Sequence, residues 1–421
     1  MSQVQPQVAT GAEVYPRYRW VMVGLLLMAR EIVVLIPIGM MLPAIRHDLN
    51  IGVAQSGVLG SMAQLAGVMF TLVSALTLVR FRPRLVYFIS LVLTAVFGFL
   101  IGQARSFITI LLPYLFMGAT NVVREVPDTL LRVQWIPRTE LGRVMAITNG
   151  MGALGQSVGI MLVPLLLVFL GGWRNLFSLF ALGMMVLAVV WFIFARERVT
   201  SAYKDGMASQ NSLVSLKAVL KRKEIIMVAV ATLGIPSAYA TTSLFLPTYL
   251  VEERNMPLTT VGFIAGMMPI GGVVGNLIAG FLSDKIGLRK PVIWPAGFTI
   301  PLFYLGATMP VPVWLLTVCT FFIGFLAWAP LVALRSIPFE LTGIKPSEVA
   351  VGQSVIQTVT MLGIIVAQPL VGGIADIIGS VGTALRIVAI FPLLLGVMGL
   401  LLPETGPKSI LRKAQETFQA T

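Results

Sequence analysis

The sequence predicts an all-α polytopic membrane protein: twelve transmembrane helices in two six-helix pseudo-symmetric bundles. Three observations carry that prediction. The 421-residue chain is 57% hydrophobic and 11% charged, with mean hydropathy +0.92, against about 25% charged residues in a typical soluble domain. Its apolar residues fall in blocks of about 20, the length that crosses a hydrocarbon layer ~30 Å thick, and inside lipid such blocks satisfy their own backbone only as helices. Finally, the second half of the chain repeats features of the first.

The apolar blocks place spans at 20–45, 54–79, 85–104, 107–131, 143–170, 174–194, 225–249, 258–282, 290–308, 311–334, 347–371 and 382–402. They imply an N-terminal tail (1–17), a first bundle (18–194), a linker (195–224), a second bundle (225–403) and a C-terminal tail (404–421). The first 16 residues are polar and hold no apolar signal core, so no cleaved leader is expected. The linker segment SLVSLKAVLKRKE reads either as an amphipathic helix on the membrane surface or as a solvated connector. Pro236 and Pro247 are expected to break the seventh span.

The chain has 30 Lys and Arg against 17 Asp and Glu, a net charge of +13. Placed on the spans, 23 of the 30 basic residues fall on the side of the N-terminus and four in loops of the other side. That asymmetry predicts cytoplasmic termini and a multi-pass plasma (cell inner) membrane protein, and it reads the charge as topology, not as a nucleic-acid footprint. One cysteine, Cys319, and one histidine, His47, leave no intrachain disulfide and no metal cluster to expect. No cofactor is implied, and no constellation of an enzyme is visible; the phosphate-binding loop of ATP-driven transport is absent.

The repeat has a period of about 205. Gly57 meets Gly262, Gly67 meets Gly272, Arg84 meets Arg289 and Pro164 meets Pro369. At a shift of 204, Leu42-Pro43 meets Leu246-Pro247. Parallel six-helix repeats characterise one large class of transporters, with the site near the midplane between the halves.

The segment GFLSDKIGLRK, residues 280–290, follows the eighth span. It resembles the signature loop of the major facilitator superfamily, and MLPAIRHDLNI, WIPRTELGR and GGWRNLF resemble other loops of that family. The resemblance runs over residues 18–405, implies a monomeric secondary transporter, and leaves the branch open between organic-anion and cyanate-permease-like relatives. It implies a gating loop of Gly280, Asp284, Lys285, Gly287, Arg289 and Lys290. Gly280 would allow close helix approach, and Asp284 would act against the start of the fifth span near Arg143. In the first half the matching segment reads ALTLVRFRPR, with Val79 where the acid would stand.

Two adjacent cation–anion pairs interrupt the apolar runs: Arg30-Glu31 in span one and Arg124-Glu125 in span four. Arg30 lies ten residues beyond Trp20 and Arg124 eight before Arg132, which puts both about 12–15 Å from the same membrane edge. Neighbours on a helix diverge, so cross-helix pairing is expected, Arg30 with Glu125 or Arg124 with Glu31, with Asp128 a further partner of Arg124. A mid-membrane charge costs at least ~2.5–3.5 kcal/mol unless it meets water, a partner or a ligand. Either the four groups brace the first half, or an arginine grips an anion while Glu31, Glu125 or Asp128 exchanges a proton or a partner. Tyr239 and Trp328 of the second half are expected to cover that anion. The expected function is proton-coupled import of a small carboxylate-type anion by alternating access. The alternative is an efflux antiporter, which GALGQSVG disfavours because Gln156 stands where exporters of the family carry proline.

Overall fold

In the computed structural model, residues 17–34, 36–77, 81–198, 219–341, 344, 346–406 and 408 are described. The helices are α1 (Arg19–Val34), α2 (Ile38–Leu49), α3 (Val53–Thr77), α4 (Pro83–Gly102), α5 (Phe107–Trp135), α6 (Arg138–Leu170) and α7 (Trp173–Phe194). The second half holds α8 (Lys223–Thr248), α9 (Leu258–Ile286), α10 (Lys290–Thr308), α11 (Val313–Glu340), α12 (Pro346–Ile378), α13 (Val381–Val388) and α14 (Leu393–Leu401). A π turn, Tyr249–Glu253, extends α8.

The twelve expected spans are all present, with ends that mostly run past the apolar blocks. Span one is two helices, α1 and α2, because Pro37 forbids a helical bond there and pushes Ile36 out of the helical region. Span twelve is divided at Pro392 into α13 and α14. Span seven corrects an expectation: α8 runs through both Pro236 and Pro247, and the chain only widens to the π turn beyond them. Eleven of the described helices or helix pairs are long and apolar enough to cross a membrane; α10, with Pro295 and Pro301, is the remaining span. Most of the linker and both tails lie outside the described residues.

The repeat recurs as matched contacts. Asp48 accepts from Trp173 Nε1 (2.8 Å) and pairs with Arg174 (2.5 Å), while Glu253, 205 residues later, accepts from Ser380 Oγ and the Val381 and Gly382 amides. On the opposite side, Arg84 N donates to Glu197 (2.7 Å) and Arg289 N to Glu404 (2.6 Å).

The same spacing builds the join between the halves. A Cβ on Gly57 of α3 would lie 2.8 Å from Pro369 Cα of α12; a Cβ on Gly262 of α9 would lie 2.7 Å from Pro164 Cγ of α6. Each contact is the other's image under the 205 shift, so the halves meet by a self-complementary, two-fold-like surface. Small residues there let the backbones close, as lipid-embedded helices require. Two polar links lie at the end of this join away from the termini. Arg46 pairs with Glu252 (2.5 Å), and Asp376 accepts from the Val53 (2.9 Å) and Ala54 (2.8 Å) amides. Asp376 thereby caps the start of α3 from the other half. On the terminal side, Arg19–Glu140, Arg222–Glu348 and Arg289–Glu340 each stay within one half.

Gly57→Val and Gly262→Val are expected to pry this join apart in the same direction. Both should raise thiol labelling of a cysteine introduced at Ala54, against a quiet background because Cys319 is buried. Unchanged labelling in both variants would contradict the packing described.

Candidate functional site

The site is built on α1, α4 and α5. Arg30 and Glu31 lie in the last turns of α1, just before the break at Ile36-Pro37. On α5, Asn121, Arg124, Glu125, Asp128 and Thr129 follow within nine residues. Pro127 sits among them and cannot donate to the Val123 carbonyl, which loses its usual helical donor inside the span.

Arg30, Val33, Tyr87, Asn121, Arg124, Glu125, Asp128 and Thr129 line one cavity of about 410 Å³. The structure thus brings Arg30, Arg124, Glu125 and Asp128 together, as the depth argument expects. Arg124 is 7% exposed. Its Nη2 donates to Asn121 Oδ1 (2.5 Å), and its guanidinium lies 5.8 Å from the centre of the Tyr87 ring. Its Nη1 is buried and has no hydrogen-bond partner. Asn121 and Tyr87 were not among the expected site residues. Asn121 is legible as the i−3 neighbour of Arg124, whereas nothing in the sequence singles out Tyr87.

Two of the expected partners are rearranged, while Arg30 and Glu125 line the same cavity. Asp128 pairs with Arg132, one turn on, through Nε (2.6 Å) and Nη2 (3.4 Å), and not with Arg124. Arg132 Nη1 also donates to Thr148 Oγ1 (3.0 Å), which fastens α5 to α6. Arg124 does not meet Glu31 either: its bonded partner is Asn121, and both Glu31 carboxylate oxygens are buried without a hydrogen-bond partner. Glu31 lies against α6, where a Cβ on Gly155 would overlap Oε2 and one on Gly152 would sit 3.4 Å from Oε1. Arg30 Nη2 comes within 3.5 Å of that same Gly152 position.

Tyr239 and Trp328 form an edge-to-face pair, centroids 6.0 Å apart at 86°. Neither lines the arginine cavity, which is walled by first-half residues alone. The expectation that they cover an anion held there is not met in this conformation.

In the signature loop, Gly287 ends α9 at φ +69°. Arg289 donates to Glu340 through Nη2 (2.6 Å) and Nε (3.0 Å) and to Ser283 Oγ (2.6 Å). Lys290 N donates to Glu404 (3.1 Å), and its Nζ to the Leu400 carbonyl (2.7 Å). These bonds tie the loop to the ends of α11 and α14, while Lys285 is exposed. Gly280 is a correction: among the described residues a Cβ there would meet nothing within 4 Å, so no close approach uses it. The side chains of Asp284 and Arg143 lie outside the described residues, as does Val79.

The profile described as Major Facilitator Superfamily matches residues 20–343 and 259–420.

The chain belongs to the major facilitator superfamily.

Relatives in the superfamily include a hexuronate transporter of Bacillus subtilis, 24% identical over 260 residues, or 60% of this chain and 61% of that protein. A probable nitrate/nitrite antiporter of Thermus thermophilus is 23% identical over 61% of this chain and 59% of its own length. The chain therefore spans about three-fifths of the length of these first two relatives. A probable galactarate/D-glucarate transporter of Bacillus subtilis is 24% identical over 72% of this chain and 74% of its own. Among solved structures, the nucleoside transporter NupG superposes with TM-score 0.75 at 14% identity, covering 92% of this chain and 99% of that one. A bacterial homologue of the lysosomal transporter Spinster gives TM-score 0.72 at 13% identity over 93% and 95%. At such identities these two share the fold, and with it the multi-pass membrane architecture.

The Glu31–Gly155 contact yields a paired test. Alanine replacing a glycine inside a helix stabilises by up to about 1 kcal/mol where space allows. Gly150→Ala, with nothing within 4 Å of the added Cβ, is expected to raise the unfolding temperature in detergent. Gly155→Ala, which must displace the Glu31 carboxylate, is expected to lower it. Equal gains for both would remove Glu31 from that position.

Proposed function

We propose that the protein imports a small anion of carboxylate type across the plasma membrane by alternating access, driven by protons. The observation that carries this reading is Arg124: a buried guanidinium with an unpartnered Nη1 in the wall of an open polar cavity. A buried donor left unmet costs about 1–3 kcal/mol or more when charged. An oxyanion supplies the missing acceptor, and a planar guanidinium with one arm already fixed by Asn121 is pre-set to receive it. Arg30 in the same lining adds a second cation. Asp128 is hydrogen-bonded to Arg132, which leaves Arg124 Nη1 available to the ligand.

The lining also bears on the kind of anion. Seven of its eight residues are polar or charged, Val33 being the exception. That favours a hydroxylated organic acid, whose hydroxyls find acceptors in Glu125, Asp128 and Thr129, over an alkyl or aromatic one. Relatives named for hexuronate, L-galactonate and galactarate or glucarate are consistent with this, and those named for nitrate mark the smaller oxyanion as the competing choice within the same chemistry. Glu31, buried without a donor, and Glu125 at the cavity wall are the candidate proton carriers. The excess of Lys and Arg on the terminal side supports cytoplasmic termini. We take the working unit as a monomer.

Loss of a charge-assisted hydrogen bond is worth about 1.5–3 kcal/mol, roughly 10- to 150-fold. Arg124→Ala is therefore expected to lower uptake of a radiolabelled hexuronate at least tenfold in proteoliposomes, and Arg30→Ala to act in the same direction. Normal uptake by both folded variants would refute the site. Glu31→Gln is expected to abolish proton-driven accumulation while sparing exchange of labelled for unlabelled substrate. Accumulation at the wild-type level would take the proton away from Glu31.

A further inference from the structure

A second cavity, about 420 Å³, lies on the back of the same helices, between α3, α4 and α5. Phe70, Phe81, Ile89, Leu93, Phe97 and Phe116 form most of its walls. Its two hydroxyls are already used. Ser90 Oγ donates to the Tyr87 carbonyl (2.7 Å), and Thr120 Oγ1 to the Met117 carbonyl (2.7 Å) while also meeting Thr94 Oγ1 (2.8 Å). An apolar occupant therefore strands no polar group. Phe81, Ile89, Leu93 and Phe116 are exposed, so the groove opens outward from the helices. Phe97 stacks on Phe116 (5.5 Å, 21°) and stops one end. Phe81 stands at the other, on the terminal side, with Arg82 exposed beside it. Arg82 makes no side-chain cap to α4.

We propose that this groove holds one acyl chain of an anionic phospholipid, with Arg82 at its mouth meeting the headgroup phosphate. The groove is long enough for an acyl chain: Phe81 to Phe97 is 16 residues, about 24 Å at ~1.5 Å per residue. The run starts at the membrane edge and extends past the middle of a ~30 Å hydrocarbon layer, so a chain of one leaflet fills its near part. The charge at the mouth selects the lipid class, since basic side chains at the headgroup level attract anionic lipids. The groove also shares its wall with the arginine cavity. Ile89 and Ser90 face the groove where Tyr87 faces the cavity, and Thr120 and Val123 face it where Asn121 and Arg124 face the cavity. A bound chain therefore backs the two helices that hold Arg124, and this follows whatever the cavity carries.

The test uses the purified full chain in detergent, incubated with equimolar phosphatidylglycerol and phosphatidylcholine and read by native mass spectrometry. Wild type is expected to retain one phosphatidylglycerol about fivefold over phosphatidylcholine, the ratio one interfacial arginine supplies. Arg82→Gln, at an exposed position, is expected to bring that ratio near one. Ile89→Trp, an exposed residue enlarged into the groove, is expected to remove the retained lipid of both kinds. Equal retention of the two lipids by wild type, an unchanged ratio in Arg82→Gln, or undiminished retention in a folded Ile89→Trp protein would each overturn the proposal.

Discussion

A charge buried in a membrane protein must be met, and here one arm of a guanidinium is not. Arg124 spends Nη2 on Asn121 and rests over the Tyr87 ring, while Nη1 stays buried without an acceptor. The nearest carboxylate one turn away, Asp128, is held by Arg132. The arrangement therefore keeps a guanidinium with one unmet donor at the wall of a polar cavity that it shares with Glu125 and Asp128. Such a group is costly at rest and useful when an anion arrives, which is the physical reason to read it as a site and not as a brace.

The scaffold and the site obey opposite rules. The scaffold is symmetric: Gly57 on Pro369 and Gly262 on Pro164, Asp48 and Glu253 at the span ends, Arg84 and Arg289 at the loops. The charges at mid-span are not. Arg124 and Glu125 correspond to Ala329 and Pro330 in the second half. The join between the halves is symmetric, while the mid-span charges are concentrated in one of them. The polar latches repeat this asymmetry. Asp376 caps α3, yet the residue that would mirror it after α6 is Gly171, which carries no side chain to do so.

The sequence showed clearly what periodicity and hydropathy control. Span number, the 205-residue repeat and the equal depth of Arg30 and Arg124 were all legible, because each depends on length along a helix. What was not legible depends on helix rotation and on neighbours far away in the chain. Spacing permitted Asp128 to serve either Arg124 or Arg132, and packing against Thr148 of α6 chose the latter. Glu31 turned toward Gly155 because that glycine leaves room for it. Tyr87 became part of the site only through how α4 lies on α5. Tyr239 and Trp328 have the right chemistry at the right depth, but they pack on each other, outside the arginine cavity. The proline rule erred at Pro236 and Pro247, since helical hydrogen bonding continues through both where neighbouring helices can re-satisfy the freed groups.

The most direct measurement is an experimental structure of the protein with a bound hydroxylated monocarboxylate such as a hexuronate. The account predicts a carboxylate oxygen within hydrogen-bond distance of Arg124 Nη1, in the cavity walled by spans one, three and four, with the Asp128–Arg132 pair intact. A ligand seated against Tyr239 and Trp328 with Arg124 untouched would contradict it.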